Sequence, residues 1–157
     1  MNRIITAALA AIILAAGATT TARAQEGTDC NWMAGSFWDD ASAEVVAVCI
    51  AAGANVNARS RNGLTPLHWA AGGGTAEVVR ALIDAGANVN ARHANGSTPL
   101  HAAAYGGTAE VVRVLIDAGA DIKARTGEGR IAADLAEENE AVRNDPVFWE
   151  LNQARYN

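Results

Sequence analysis

The sequence predicts an all-α repeat solenoid of about four helix–turn–helix units. Three observations carry that prediction. Residues 63–92 recur 33 positions later as residues 96–125, and 23 of the 30 aligned positions are identical. Within each copy the apolar residues fall three and four apart, the spacing of one helix face. The apolar content is also small in bulk: 37 Ala stand against 32 Leu, Ile, Val and Phe together, and only 5% of the chain is aromatic. That composition excludes a large aromatic-rich core and suits slim helices in close contact. The length of 157 residues fits one domain, and a net charge of -5 argues against a general nucleic-acid binder, which carries a basic excess.

Residues 1–24 read as a secretory signal peptide. Arg3 supplies the positive start, residues 4–16 the apolar stretch, and Ala22-Arg23-Ala24 the cleavage site. Thirteen residues are too few for a spanning helix, which needs about twenty. The mature chain is then residues 25–157, with 10 basic against 17 acidic residues and a charge of -7. A short positive start with a compact apolar stretch points to bacterial export. A periplasmic or secreted location is expected, with no membrane segment in the mature form.

Each unit is justified by its local chemistry. Thr65 and Thr98 are N-caps, and Pro66 and Pro99 occupy the first helical position, where a missing N–H costs nothing. First helices are expected near residues 66–73 and 99–106, with Gly74 and Gly107 ending them in a left-handed conformation. Thr75 and Thr108 cap the second helices, whose first turns carry Glu77 and Glu110 where the helix dipole favours an acid. Val78, Val79, Leu82 and Ile83 form one apolar stripe, and Gly86 and Gly119 end the helix. One step upstream (about 30–62) and one downstream (129–157) the pattern is degraded, as end units facing water require. Beyond residues 134–144, a short helix is expected near 146–154. Trp32, Phe37 and Trp38 at one end, with Phe148, Trp149 and Tyr156 at the other, read as plugs for the exposed ends of the stack.

The period of 33 and the recurrence of Thr65-Pro66-Leu67-His68 as Thr98-Pro99-Leu100-His101 resemble the ankyrin repeat, which implies helix–turn–helix units joined by β-turn or hairpin fingers. The resemblance covers about residues 30–145 and is strongest in the middle two units. It implies that His68 and His101 are structural, tying loops to helix starts, with Asp134 a variant of the same tie. It also implies a partner surface on the finger tips and the concave face of the first helices. Carried onto this chain, that surface is Arg59, Arg61, Asn62, Leu64, Arg92, Asn95, Ser97, Tyr105, Arg125, Glu128 and Arg130. Tyr105 stands where the previous unit has Gly72, which makes it the expected hot spot. Six of the ten mature basic residues lie in or beside the fingers, while acids such as Glu44, Glu77, Asp84, Glu110 and Asp117 lie on second helices. The expected partner is another protein with an acidic surface. No nucleic acid and no cofactor are expected, and the chain itself is expected to be a monomer.

Catalysis is not expected. His68, His101 and Asp134 share one slot in successive units, but helices stack about 8–10 Å apart whereas zinc ligands all lie about 2 Å from one ion. No phosphate-loop or nucleotide fingerprint occurs; Gly72-Gly73-Gly74 falls at a helix end. Two other readings remain open: a structural or protective partner of a periplasmic enzyme, for example in stress defence, and a metal-dependent enzyme using the repeat histidines. Cys30 and Cys49 are the only cysteines, and in an oxidising compartment they suggest one disulfide. Cys30 maps onto the turn before a first helix and Cys49 onto the inward face of a second helix, so a bond would staple the degenerate first unit.

Overall fold

The computed structural model describes residues 30–32, 37–38 and 41–156; the expected leader at residues 1–24 lies outside them. Eight α-helices follow one another among the described residues: α1 (Ala43–Ala51), α2 (Pro66–Gly73), α3 (Ala76–Asp84), α4 (Pro99–Gly106), α5 (Ala109–Asp117), α6 (Ala132–Ala136), α7 (Glu140–Arg143) and α8 (Val147–Asn152). A 3-10 turn at Gln153–Arg155 completes them. They form the predicted all-α solenoid in two rows. The inner row stacks α2 on α4 and α4 on α6; the outer row stacks α1 on α3 and α3 on α5, and α8 closes the end against α5 and α6.

The core lies between the rows. Leu67, Leu82, Leu100 and Leu115 are fully buried there, each contributing about 2 kcal/mol by its removal from water. Ala70, Ala71, Ala103 and Ala104 are equally buried and let the inner helices approach closely. The outer helices of the two central units start as expected, with the Thr75 and Thr108 hydroxyls accepting from the N–H groups of Val78 and Val111, and Ser42 does the same for Val45 in the first unit.

The fingers between units are turns, with no strand among the described residues. Two backbone bonds close each: Ser60 N–H donates to the Leu64 carbonyl at 2.9 Å, His93 to Ser97 at 2.8 Å and Thr126 to Arg130 at 2.9 Å, while Gly63 N–H donates back to Ser60, Gly96 to His93 and Gly129 to Thr126, each at 2.9 Å. Adjacent fingers are then joined by single bonds, from Ala94 N–H to the Asn62 carbonyl (2.8 Å) and from Gly127 N–H to the Asn95 carbonyl (2.6 Å). One backbone bond per neighbour makes no ladder long enough to be a sheet.

Two expectations need correction. Gly74 and Gly107 are not left-handed; their φ angles are -88° and -87°, in extended backbone. They are glycine for lack of space. A Cβ on Gly107 would lie 2.4 Å from the Ala71 carbonyl oxygen and 2.8 Å from that of Ala103, both backbone atoms that cannot turn away. Gly107→Ala is therefore expected to destabilise the stack by about 1–3 kcal/mol. Gly73→Ala, where an added Cβ meets nothing within 4 Å, serves as the control in urea unfolding. Equal midpoints for the two variants would contradict the steric account.

The second correction concerns the C-terminal aromatics. Val147 and Leu151 bury one face of α8, which turns Trp149 to the opposite face; it is 72% exposed, and Tyr156 is 84% exposed. Only Phe148 packs partly against the core, so the plug at this end is aliphatic. The N-terminal end does match the expectation. Trp32 and Trp38 are buried with Phe37 against them, and the Trp38 indole N–H donates to the Trp32 carbonyl at 2.9 Å. The segment 134–144 divides into α6 and α7 because Asn139 caps α7, accepting from Ala141 N–H, while its amide N–H groups donate to the Ala104 and Gly107 carbonyls.

Candidate functional site

The inner helix starts are built by the Thr-Pro-Leu-His segments. Each histidine sits one turn after its threonine cap and folds back on it. The Nδ1 of His68 accepts from the Thr65 N–H at 3.2 Å and lies 2.9 Å from the Thr65 hydroxyl. Its Nε2 faces the Ser97 carbonyl of the next finger at 3.4 Å. His101 repeats the arrangement with Thr98, and its Nε2 lies 3.2 Å from the Arg130 carbonyl. An Nδ1 that accepts leaves the proton on Nε2, so both rings are neutral and donate across to the next unit. Burial agrees: it lowers the His68 pKa to about 4 from 6.5, against the opposing pull of the Ser97 carbonyl, and lowers that of His101 likewise. Both nitrogens of each ring are engaged within the stack, and among the described residues no three His, Cys, Asp or Glu side chains group as a metal site. Asp134 keeps the tie in α6, its Oδ2 accepting from the Ile131 N–H at 2.8 Å.

Held by these ties, the fingers project beside the inner helices and leave a groove between them. The groove deepens at the third unit into a cleft of about 340 Å³. Asn95, Ser97, Tyr105, Glu128 and Arg130 all line it, so the structure brings five of the eleven expected partner residues together. Tyr105 is 65% exposed at its edge. The Arg130 guanidinium lies 3.3 Å from the Glu128 carboxylate, with both side chains largely in solvent.

The other expected residues are spread along the finger edge, and three have work inside the fold. Arg59 donates to the Arg92 carbonyl at 2.7 Å, Arg92 to that of Arg125 at 2.7 Å, and Arg125 to that of Gly129 at 2.8 Å. The first two bonds link finger to finger and the third lies within the last finger; since a guanidinium carries five N–H donors, one bond leaves the rest for solvent or a ligand. Arg61 and Asn62 are exposed at the first tip, and Leu64 is half-buried below them. On the opposite side, Arg80 pairs with Glu110 and Arg113 with Asp145, so the outer helices are less acidic than their glutamates and aspartates alone indicate.

Residues 34–126 match the family model of ankyrin repeats, in three copies, and that span is more than half of the chain. The chain belongs to the ankyrin-repeat family. A search of curated proteins finds no match. Ankyrin repeats are generally protein–protein interaction modules and are typically non-catalytic. No helix among the described residues is long and apolar enough to cross a membrane.

Two features of this ankyrin-repeat stack escaped the sequence reading. One is the arginine series just described. The other is a polar seam after the outer helices. The Asn57 side chain donates to the Gly86 carbonyl (2.9 Å) and accepts from the Asn88 N–H (2.7 Å), and Asn90 does the same with Gly119 and Asp121. The available signal was the recurrence of Asn57 as Asn90 at the repeat period, next to a glycine-ended helix whose carbonyls need donors. Lys123 takes that slot in the third unit, and its side chain has no part in the seam.

Proposed function

We propose that this chain is an exported, non-catalytic interaction module that holds another protein across its fingers and inner helices, in the bacterial periplasm or outside the cell. The observation that carries the reading is the cleft at the third unit, where an exposed tyrosine and an arginine meet on rigid, tied-down backbone. Tyr and Arg are the residue types that dominate binding energy at protein interfaces. Export is supported by the character of residues 1–24 and by the Cys30–Cys49 bond, since disulfides persist in oxidising compartments.

The test is affinity capture from periplasmic extract with the mature chain. Tyr105→Ala and Arg130→Ala are expected to weaken capture of the main partner at least tenfold, on the order of the 2 kcal/mol that marks a hot spot. Both lie on the surface, so circular dichroism should be unchanged. If both variants retained every partner, the groove would not be the binding surface. N-terminal sequencing of the protein from fractionated cells should begin at Gln25; an intact chain in the cytoplasm would overturn the location.

A further inference from the structure

The two central units differ at seven of thirty aligned positions, and three of those seven lie together. Ser97 stands where the second unit has Leu64, Ala102 where it has Trp69, and Tyr105 where it has Gly72. All three line the cleft of about 340 Å³. The other four differences fall on the outer helix and the turn after it. Units that share a backbone aim equivalent side chains in equivalent directions. In the second unit, Trp69 therefore brings an indole to the register that Ala102 leaves open in the third, and that indole packs partly against the core. Leu64 to Ser97 trims the same space again, and Tyr105 raises a wall that Gly72 lacks. The third unit thus carries a hole where its neighbour carries a tryptophan.

The rim has a charge preference. Arg130 and Glu128 are paired there, and exposed pairs of this kind contribute only about 0–1 kcal/mol, so an incoming carboxylate can take the Glu128 place at little cost. His101 holds the Arg130 carbonyl from below, which fixes the backbone carrying that guanidinium. Alongside, Arg92 and Arg125 are bound to the carbonyls of Arg125 and Gly129, so the neighbouring finger edge is cationic. The Arg92 charge reaches inward far enough to help keep His101 neutral.

We propose that the cleft is a socket for one bulky aromatic side chain of a partner protein, flanked on that partner by an Asp or Glu that pairs with Arg130. This rests on the interaction-groove reading and names the partner's chemistry. An indole or phenol presents the flat apolar body that Trp69 supplies internally, and Tyr105 offers a ring to stack on it. The carboxylate supplies register through charge-assisted bonds to a planar guanidinium.

The test uses the mature chain and three blocked tripeptides, followed by backbone amide chemical shifts. Acetyl-Asp-Trp-Glu-amide is expected to give saturable shifts at Ala102, Tyr105 and Gly127. Acetyl-Asp-Ala-Glu-amide and acetyl-Lys-Trp-Lys-amide should bind at least tenfold more weakly. Ala102→Trp, which copies the second unit into the third, should fill the socket and weaken the first peptide at least tenfold. Should Ala102→Trp not fold, Tyr105→Gly is expected to weaken the same peptide. Equal binding of all three peptides, or wild-type binding by the folded variant, overturns the proposal.

If the peptides fail while Tyr105→Ala still loses the captured partner, the groove reading stands and the aromatic socket is wrong. A concentration-dependent dimer abolished by Trp149→Ala would show that the occupant is a second copy, whose exposed Trp149 precedes Glu150, and would overturn the assignment to another protein.

Discussion

Reduction of the Cys30–Cys49 bond is expected to lower the unfolding free energy by about 3 kcal/mol, the chain-entropy value for a loop of this size. The two cysteines are 19 positions apart, with Cα atoms 5.5 Å from each other. Cys49 is fully buried in α1, and Cys30 leads into Trp32, Phe37 and Trp38, which cover the open end of the stack. The first unit lacks the Thr-Pro-Leu-His start, so no threonine–histidine tie holds this segment. The bond takes over that task by keeping the aromatic cluster close to α1 even in the unfolded chain. Urea unfolding with and without reductant measures the difference. The reduced chain should also show a red-shifted tryptophan emission at low urea, as Trp32 and Trp38 become wet before the central units unfold. Coincident midpoints for the oxidised chain, the reduced chain and a double Cys→Ala variant would remove the staple from the account.

Acidification is expected to destabilise the stack well above the carboxylate range. His68 has a folded pKa of about 4, depressed mainly by burial, against 6.5 for the ordinary group. The unfolded chain therefore binds the proton first, and each step down in pH favours unfolding. Stability is full above about pH 6.5 and is lost as pH falls towards 4, by up to about 3 kcal/mol for this one residue. His101 is shifted in the same direction and adds to the slope. Asp134 and Asp145 act in a lower window. Burial works to raise Asp134, but the Ile131 N–H and Arg155 outweigh it; Asp145 is lowered by the Val147 N–H and Arg113. Their contribution persists above the ordinary 3.8 and disappears as pH falls through the depressed values. Urea midpoints measured from pH 7.5 to 4.5 isolate the histidine window. His68→Gln and His101→Gln should each flatten the profile while lowering stability at pH 7.5. A wild-type profile that is flat over this range would mean that the rings are not held neutral by burial.

By itself, the sequence determined the solenoid and the helix starts. Those features are local and written twice: a threonine, a proline and a glycine at fixed offsets act on their own backbone, and a 33-residue period shows that the unit is reused. It also singled out Tyr105, because a repeat makes any departure from itself visible. The tertiary structure alone decided what depends on neighbours. Gly74 and Gly107 reads as helix stops in sequence, yet the carbonyls of a packed helix are what require glycine at position 107. Arg59 and Arg92 read as free charges until the next finger supplies a carbonyl at bonding distance, and Arg125 until its own finger does. Trp149 read as a plug until the buried face of α8 turned it outward. The cleft follows the same logic. Ser97 and Ala102 are unremarkable in sequence, and they join Tyr105 in a site only where stacking sets one unit's helix beside the next unit's finger.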